Sequence, residues 1–389
     1  MRVRPSFRDL RFVLLLGGET VNSVGGWASA IVLWGFAAYR FNAGPYAVAV
    51  TVMCWAAPAA ALSPLMGVYV DRLGPKRALV AGYVAAAAAA LGMAAAGSLV
   101  QLDIAAVAYG VTRALASPAA AALPPRIVAP DDLLAANSLL GSSAAAGQVA
   151  GPLVASAALA LFGFRAAFVV DAVSYLIGAL VVLPLPAAPA DKEEASSWRQ
   201  ELRAGILLVS RGPLRLVALI VAAVAFTSGA FLVVEPLYAR HVLHRPPSQF
   251  ALFEAAAGTG AILAGLVIAR LHRLGGWKVL SASAAGFGLT ACAFIGTTSI
   301  PVAYAGAFSW GVTGALFGAV ALTTLQQVAP AHAHGRVMGV MGTVQSAADT
   351  IGQPLAGVTI AALGIRPGAV GLAGVSILAG LFCLVTRPR

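Results

Sequence analysis

Gly67-Val68-Tyr69-Val70-Asp71-Arg72-Leu73-Gly74-Pro75-Lys76-Arg77 places four charges in seven residues, directly after a run from Phe41 to Val70 that carries none. Another apolar block follows at once. The 389-residue chain is 60% hydrophobic and 10% charged, where an ordinary soluble domain carries about 25% charged residues. A soluble protein of this length needs a polar shell that so few charges cannot make. The apolar residues come in blocks of about 20, the length a helix needs to cross the hydrocarbon of a bilayer. The chain therefore reads as an all-α membrane protein, and the charged stretch as a turn at one membrane surface.

Twelve spans are expected, at 11–38, 45–70, 77–97, 102–124, 135–160, 166–185, 214–239, 249–270, 278–297, 301–328, 336–362 and 368–386. No cleavable leader is expected, because the first apolar block runs on as a full span. An even number of spans puts both termini on one side. Placing them in the cytoplasm leaves nineteen of the 25 Lys and Arg inside, against Arg40, Arg165, Arg240, Arg245 and Arg366 outside and Arg113 within a span. That bias sets the expected orientation in the cell membrane. The net charge of +11 is spread over these turns rather than gathered into a basic stripe with aromatics. Nucleic acid is accordingly not an expected partner.

The break between Pro186 and Pro213 divides the spans six and six, giving an N-terminal bundle (1–185), a cytoplasmic linker (186–213) and a C-terminal bundle (214–389). In the linker, Trp198, Leu202, Ile206 and Val209 recur at helical spacing opposite charges, as in a helix lying on the inner membrane face. A joining helix or a site for a regulatory partner would both fit. The halves resemble each other. Val128-Ala129-Pro130 recurs as Val328-Ala329-Pro330, Gly141 answers Gly342, and Gly151-Pro152-Leu153 lies opposite Gln353-Pro354-Leu355. Ordered matches of this kind point to duplication, a recurrent design for transporters.

The charged turn has a physical logic of its own. Gly67 lets another helix come close, and Gly74-Pro75 stops a helix. Asp71, at the end of the second span, is placed to pair with Arg77 or to accept from a neighbouring helix N-terminus. Such a pair forms in one conformation and breaks in another, which makes it a latch. An orienting turn alone would need only the basic residues. The stretch also resembles the main signature of the major facilitator superfamily, with Gly67, Asp71, Arg72, Gly74, Lys76 and Arg77 in place. The corresponding turn after span eight, Gly265 to Gly275, has Ala269 where the Asp would fall, so the second latch is degenerate.

The resemblance runs along the whole chain. Within the superfamily the chain is similar to a bacterial exporter branch of macrolide-efflux and enterobactin-exporter-like proteins, through Gly18–Gly25, Asn137-Ser138, Gly147–Leu153 and Phe168–Tyr175. Relatives often carry an Asp at the position of Gly26. Gly147-x-x-x-Gly151-Pro152 resembles the span-five motif of antiporters. Two glycines one turn apart allow close helix packing, and the proline frees a backbone acceptor and permits a bend. Resemblance also implies that spans three, six, nine and twelve face lipid, which makes Asp171 in span six structural.

Arg113 lies about eleven residues into its span, hence near mid-membrane. A charge there costs about 2.5–3.5 kcal/mol on insertion scales, and it stays only if a cavity or a partner holds it. It matches the span-four Arg of proton-coupled exporters in the superfamily. Glu19 and Asp349 are the candidate partners, and Glu235 and Glu254 lie nearer the outer ends of their spans. Trp27, Trp34, Phe226, Phe231, Tyr109 and Trp310 would line a cavity or pack. Cys54, Cys292 and Cys383 lack ligand spacing, His332-Ala-His334 is an isolated pair, and Gly258-Thr-Gly260 follows no strand. No metal, cofactor or catalytic constellation is expected, so the energy source would be an ion gradient. The expected function is proton-coupled export of a hydrophobic small molecule by a monomer in the bilayer. An importer of the same fold and a transporter-like sensor are the alternatives.

Overall fold

The structure, a computed structural model, describes residues 9–185, 206–268, 276–329 and 334–386, without the side chains of 63, 64, 67, 68, 71, 134 and 334–336. Among the described residues there are twelve long helices and no strand. They are α1 (Leu10–Arg40), α2 (Pro45–Leu73), α3 (Pro75–Ala95), α4 (Leu99–Ala121), α5 (Leu133–Leu161) and α6 (Gly163–Val182), then α7 (Gly212–His241), α8 (Pro247–Ile268), α9 (Trp277–Ile295), α10 (Ile300–Val328), α11 (His334–Leu363) and α12 (Ile365–Val385). Every expected span lies within three residues of one of these helices. Eleven of them are long and apolar enough to cross a membrane. The exception is α11, whose 30 residues suffice for length but whose middle carries Gln345, Ser346, Asp349, Thr350 and Gln353.

Local chemistry sets the helix ends. Asp9 accepts from Arg11 N at 2.9 Å and caps α1, and Ser98 accepts from Gln101 N at 3.3 Å and caps α4. These side chains satisfy donors that the first turn leaves open. The expected start of α4 at 102 is earlier in fact, at Leu99, because Ser98 supplies that cap. A proline opens α3, α7 and α10, where its missing N–H is no loss. Helices α2 and α3 are joined by Gly74 alone, and α11 and α12 by Gly364 alone, at φ 81° and 85°. A one-residue corner needs a left-handed backbone, which glycine adopts without strain.

The chain forms two compact units. The first comprises 1–43, 51–193 and 247–252, and the second 44–50, 194–246 and 253–389. In the first, α1 packs on α5 and α6, and α3 on α4 and α6. In the second, α7 packs on α11 and α12, and α9 on α10 and α12. The pairings repeat with an offset of six helices, as the sequence matches between halves imply. Close approaches are made by glycine. Gly147 and Gly151 on α5 abut Ser23 and Trp27 on α1, where no Cβ would fit, and α5 continues through Pro152 as one helix. In the second unit, Gly229 on α7 meets the Asp349 carbonyl and Gly352 meets that of Phe226. Of the expected linker helix, residues up to 205 fall outside the described residues. Val209 is buried, while Ile206 and Leu207 are half exposed.

Candidate functional site

The turn that opens the sequence reading is formed by the last turn of α2, Gly74 and the first turn of α3. Gly74 N donates to Val70 O at 2.9 Å and Gly74 O accepts from Ala78 N at 3.0 Å, so the two helices share this corner. Arg72 and Arg77 are exposed and Lys76 is half-buried. Gly67 and Asp71 lie on α2, and their side-chain positions are outside the described residues. The second, degenerate turn from Ala269 to Gly275 also falls outside them.

Arg113 has an aromatic partner rather than the expected carboxylate. Its guanidinium carbon sits 4.1 Å from the centroid of the Trp55 ring on α2, and Trp55 meets Trp34 of α1 edge to face with centroids 6.0 Å apart. α2 and α4 come close enough for this because Gly110 lies against the Trp55 carbonyl and Pro58. A guanidinium over an indole face is attracted by the ring quadrupole, by about 2 kcal/mol or more once desolvated. Glu19 is engaged elsewhere, accepting from the Tyr83 hydroxyl on α3. Both residues belong to the first unit but find their partners on different helices.

Asp171, expected to be structural, stands at the centre of a buried polar cluster. It is fully buried and accepts from the Tyr109 hydroxyl of α4 at 3.0 Å. The Tyr109 and Tyr175 oxygens lie 3.1 Å apart, and the rings of Tyr175 and Tyr83 approach with centroids 5.6 Å apart. One cluster of tyrosines therefore lies between Asp171 and Glu19. α6 does present an apolar outer side, as expected of span six, but Asp171 is on the other side. The signal was present in the sequence: Asp171, Ser174 and Tyr175 stand at i, i+3 and i+4, hence on one helix face.

In the second unit, Glu235 on α7 and Glu254 on α8 lie within hydrogen-bond reach of each other. Glu235 is 3% exposed. The Phe231 ring, one turn back on α7, faces Trp310 at 5.6 Å, and Trp310 lies 5.2 Å from Phe287. These aromatics pack on one another rather than stand apart. Asp349 on α11 is half-buried, with Gln353 Nε2 3.4 Å from its Oδ2. Gln353 is fully buried, and its Oε1 is unpartnered. Among the described residues, no group of three His, Cys, Asp or Glu is arranged to hold a metal ion.

Comparison with known proteins agrees with this architecture. A profile of the Major Facilitator Superfamily matches residues 15–352 and again 217–389. The chain is 22% identical over 404 residues to the uncharacterized MFS-type transporter YfiS of Bacillus subtilis (strain 168), covering 99% of this chain and 95% of that one. Among solved structures, a bacterial homologue of the human lysosomal transporter Spinster, inward-facing and occupied, superposes with a TM-score of 0.76 at 14% identity, over 99% of this chain and 97% of the other. The nucleoside transporter NupG gives 0.78 at 13% identity, over 97% and 99%. At these identities the structural likeness shows the fold alone, and the family rests on the profile. The chain belongs to the Major Facilitator Superfamily and is a membrane transporter, not an enzyme.

Proposed function

We propose that this transporter exports a hydrophobic, drug-like or metabolite small molecule from the cytoplasm in exchange for protons, by alternating access. The observation that carries the reading is the set of ionisable groups held within apolar helices: Glu19, Arg113 and Asp171 in one unit, Glu235, Glu254 and Asp349 in the other. Such groups are costly in a bilayer and mark ion or substrate pathways. A carboxyl that loads a proton from outside and loses it inward supplies the coupling, and no nucleotide-binding loop is present in the sequence to supply energy otherwise. The neighbouring carboxyls of Glu235 and Glu254 support this, as a second pair of ionisable groups held inside the other unit.

Three further roles follow within the same reading. Gly67, Asp71, Arg72, Gly74, Lys76 and Arg77 form the cytoplasmic latch. Gly147, Gly151 and Pro152 form the gating segment of α5, where two helices slide past each other without interlocking side chains. Arg113 is the fixed positive charge that the carboxyls and cargo work against. The chain acts as a monomer in the cell membrane, with both termini in the cytoplasm.

The test is a resistance screen. In cells stripped of their own efflux pumps, expression should raise the inhibitory concentration of at least one hydrophobic compound several-fold. Sensitisation across the panel, with increased uptake, would favour import and contradict the proposal.

A further inference from the structure

The two sides of α6 differ in character. Val169, Val170, Val173, Leu176, Ile177 and Leu180 are 43–65% exposed and make an apolar outer side, while Phe168, Asp171, Ser174 and Tyr175 are buried. A carboxyl kept at bilayer depth and away from lipid must be held by something. Hydroxyls hold Asp171. Tyr109 donates to Oδ2 at 3.0 Å, Ser174 Oγ lies 3.5 Å from Oδ1, and the Tyr109 and Tyr175 hydroxyls meet at 3.1 Å with either able to donate. Gly25 on α1 makes room for this arrangement, since a Cβ there would come within 2.7 Å of Asp171 Oδ1.

Hydroxyl partners suit a carboxylic acid as well as a carboxylate, because each donates and accepts. When Asp171 is ionised, Tyr109 donates to it. When Asp171 is protonated, the acid donates to Tyr109, which turns its own hydrogen toward Tyr175. Asp171, Tyr109 and Tyr175 each keep at least one hydrogen-bond partner in either state, which limits the penalty of unmade bonds. A directly bonded cation would instead lock the anion. The guanidinium one turn along α4 from Tyr109, that of Arg113, lies over Trp55. The other titratable groups around the cluster are Glu19 on α1, Tyr83 on α3 and Tyr175 on α6. α5, which also packs on α6, has no ionisable residue.

We propose that Asp171 carries an exchangeable proton of the first unit, with Tyr109 and Tyr175 as hydrogen-bond partners that reverse direction as the proton comes and goes. The step is a proton transfer without redox change. An O–H bond forms at Oδ2 as one breaks in a hydronium ion on the side then open, the Tyr109 hydrogen swings from Asp171 to Tyr175, the Tyr175 hydrogen turns away from Tyr109, and all of these reverse on release to the other side. The inference rests on the proton-coupled reading above and adds a carrier for the proton.

The test needs no cargo. Full-length protein purified into phosphatidylcholine–phosphatidylglycerol vesicles is titrated with acid while infrared difference spectra are recorded. The wild type should gain a carboxylic-acid C=O band that Asp171→Asn loses and that Tyr109→Phe shifts. Asp103→Asn, at a carboxylate bonded to Thr51 at 2.6 Å, should leave that band in place. Spectra of wild type and Asp171→Asn that superimpose would overturn the proposal. If Asp171→Asn does not fold, Tyr109→Phe decides: an unmoved set of bands overturns it. Failure of the transport reading is distinguishable, because it shows as cargo accumulation that a protonophore leaves unchanged, whatever the infrared band does.

Discussion

Asp71→Asn is expected to reach the membrane at wild-type levels while its transport falls to background, and Arg77→Ala should do the same. Arg77 is exposed, and the corner itself is built by backbone bonds on either side of Gly74. What the substitutions remove is a charge-assisted bond proposed to exist in only one conformation. Bonds to charged groups contribute about 1.5–3 kcal/mol, enough to displace a two-state equilibrium by roughly ten- to hundredfold. A transporter must visit both states in each cycle, so a displacement of that size stalls it without unfolding it. The check is flux per molecule, with protein quantified by immunoblot. Normal flux in both variants would remove the latch from the account.

Arg113→Ala should abolish coupled transport, and Arg113→Lys should recover only a minor part of it. The guanidinium carbon lies over the Trp55 ring, 4.1 Å from its centroid, and an ammonium reproduces neither the planar shape nor the fork of donors. Trp55→Leu keeps the charge and removes its support. Loss of about 2 kcal/mol from the working state corresponds to a fall of roughly thirtyfold in transport. A wild-type rate in Arg113→Ala would place the central charge elsewhere. A wild-type rate in Trp55→Leu would mean that the ring only packs.

The fold was legible because helix length and bilayer thickness are tightly linked. Blocks such as 214–239 and 301–328 admit no other reading, and prolines and glycines at the corners bounded them. α11 was harder, since its polar middle lowers the hydropathy that marks a span. Partners in space were not legible. Arg113 was expected against a carboxylate, because periodicity places charges along a span but does not say which neighbouring helix faces them. Gly110, which brings α2 against α4 and sets Trp55 under the guanidinium, carries no such label in the sequence. Asp171 was assigned a structural role from the lipid-facing habit of its span, although Ser174 and Tyr175 at helical spacing already marked a buried polar face. The Glu235–Glu254 contact needs the approach of α7 and α8, which no local pattern gives.

Proton-driven export is tested most directly in sealed vesicles whose cytoplasmic face points outward and whose interior is acidified. A compound identified by the resistance screen should accumulate inside, and a protonophore should stop it. Asp349→Asn and Glu19→Gln should be compared in the same vesicles. A carboxyl that carries the coupling proton loses the response to the gradient when neutralised, whereas one that only packs keeps it. Of the two, Asp349 is expected to show the larger loss, since its position in α11 is nearest mid-span. Accumulation that ignores the protonophore, or that requires sodium, would contradict proton exchange while leaving the transporter itself in place.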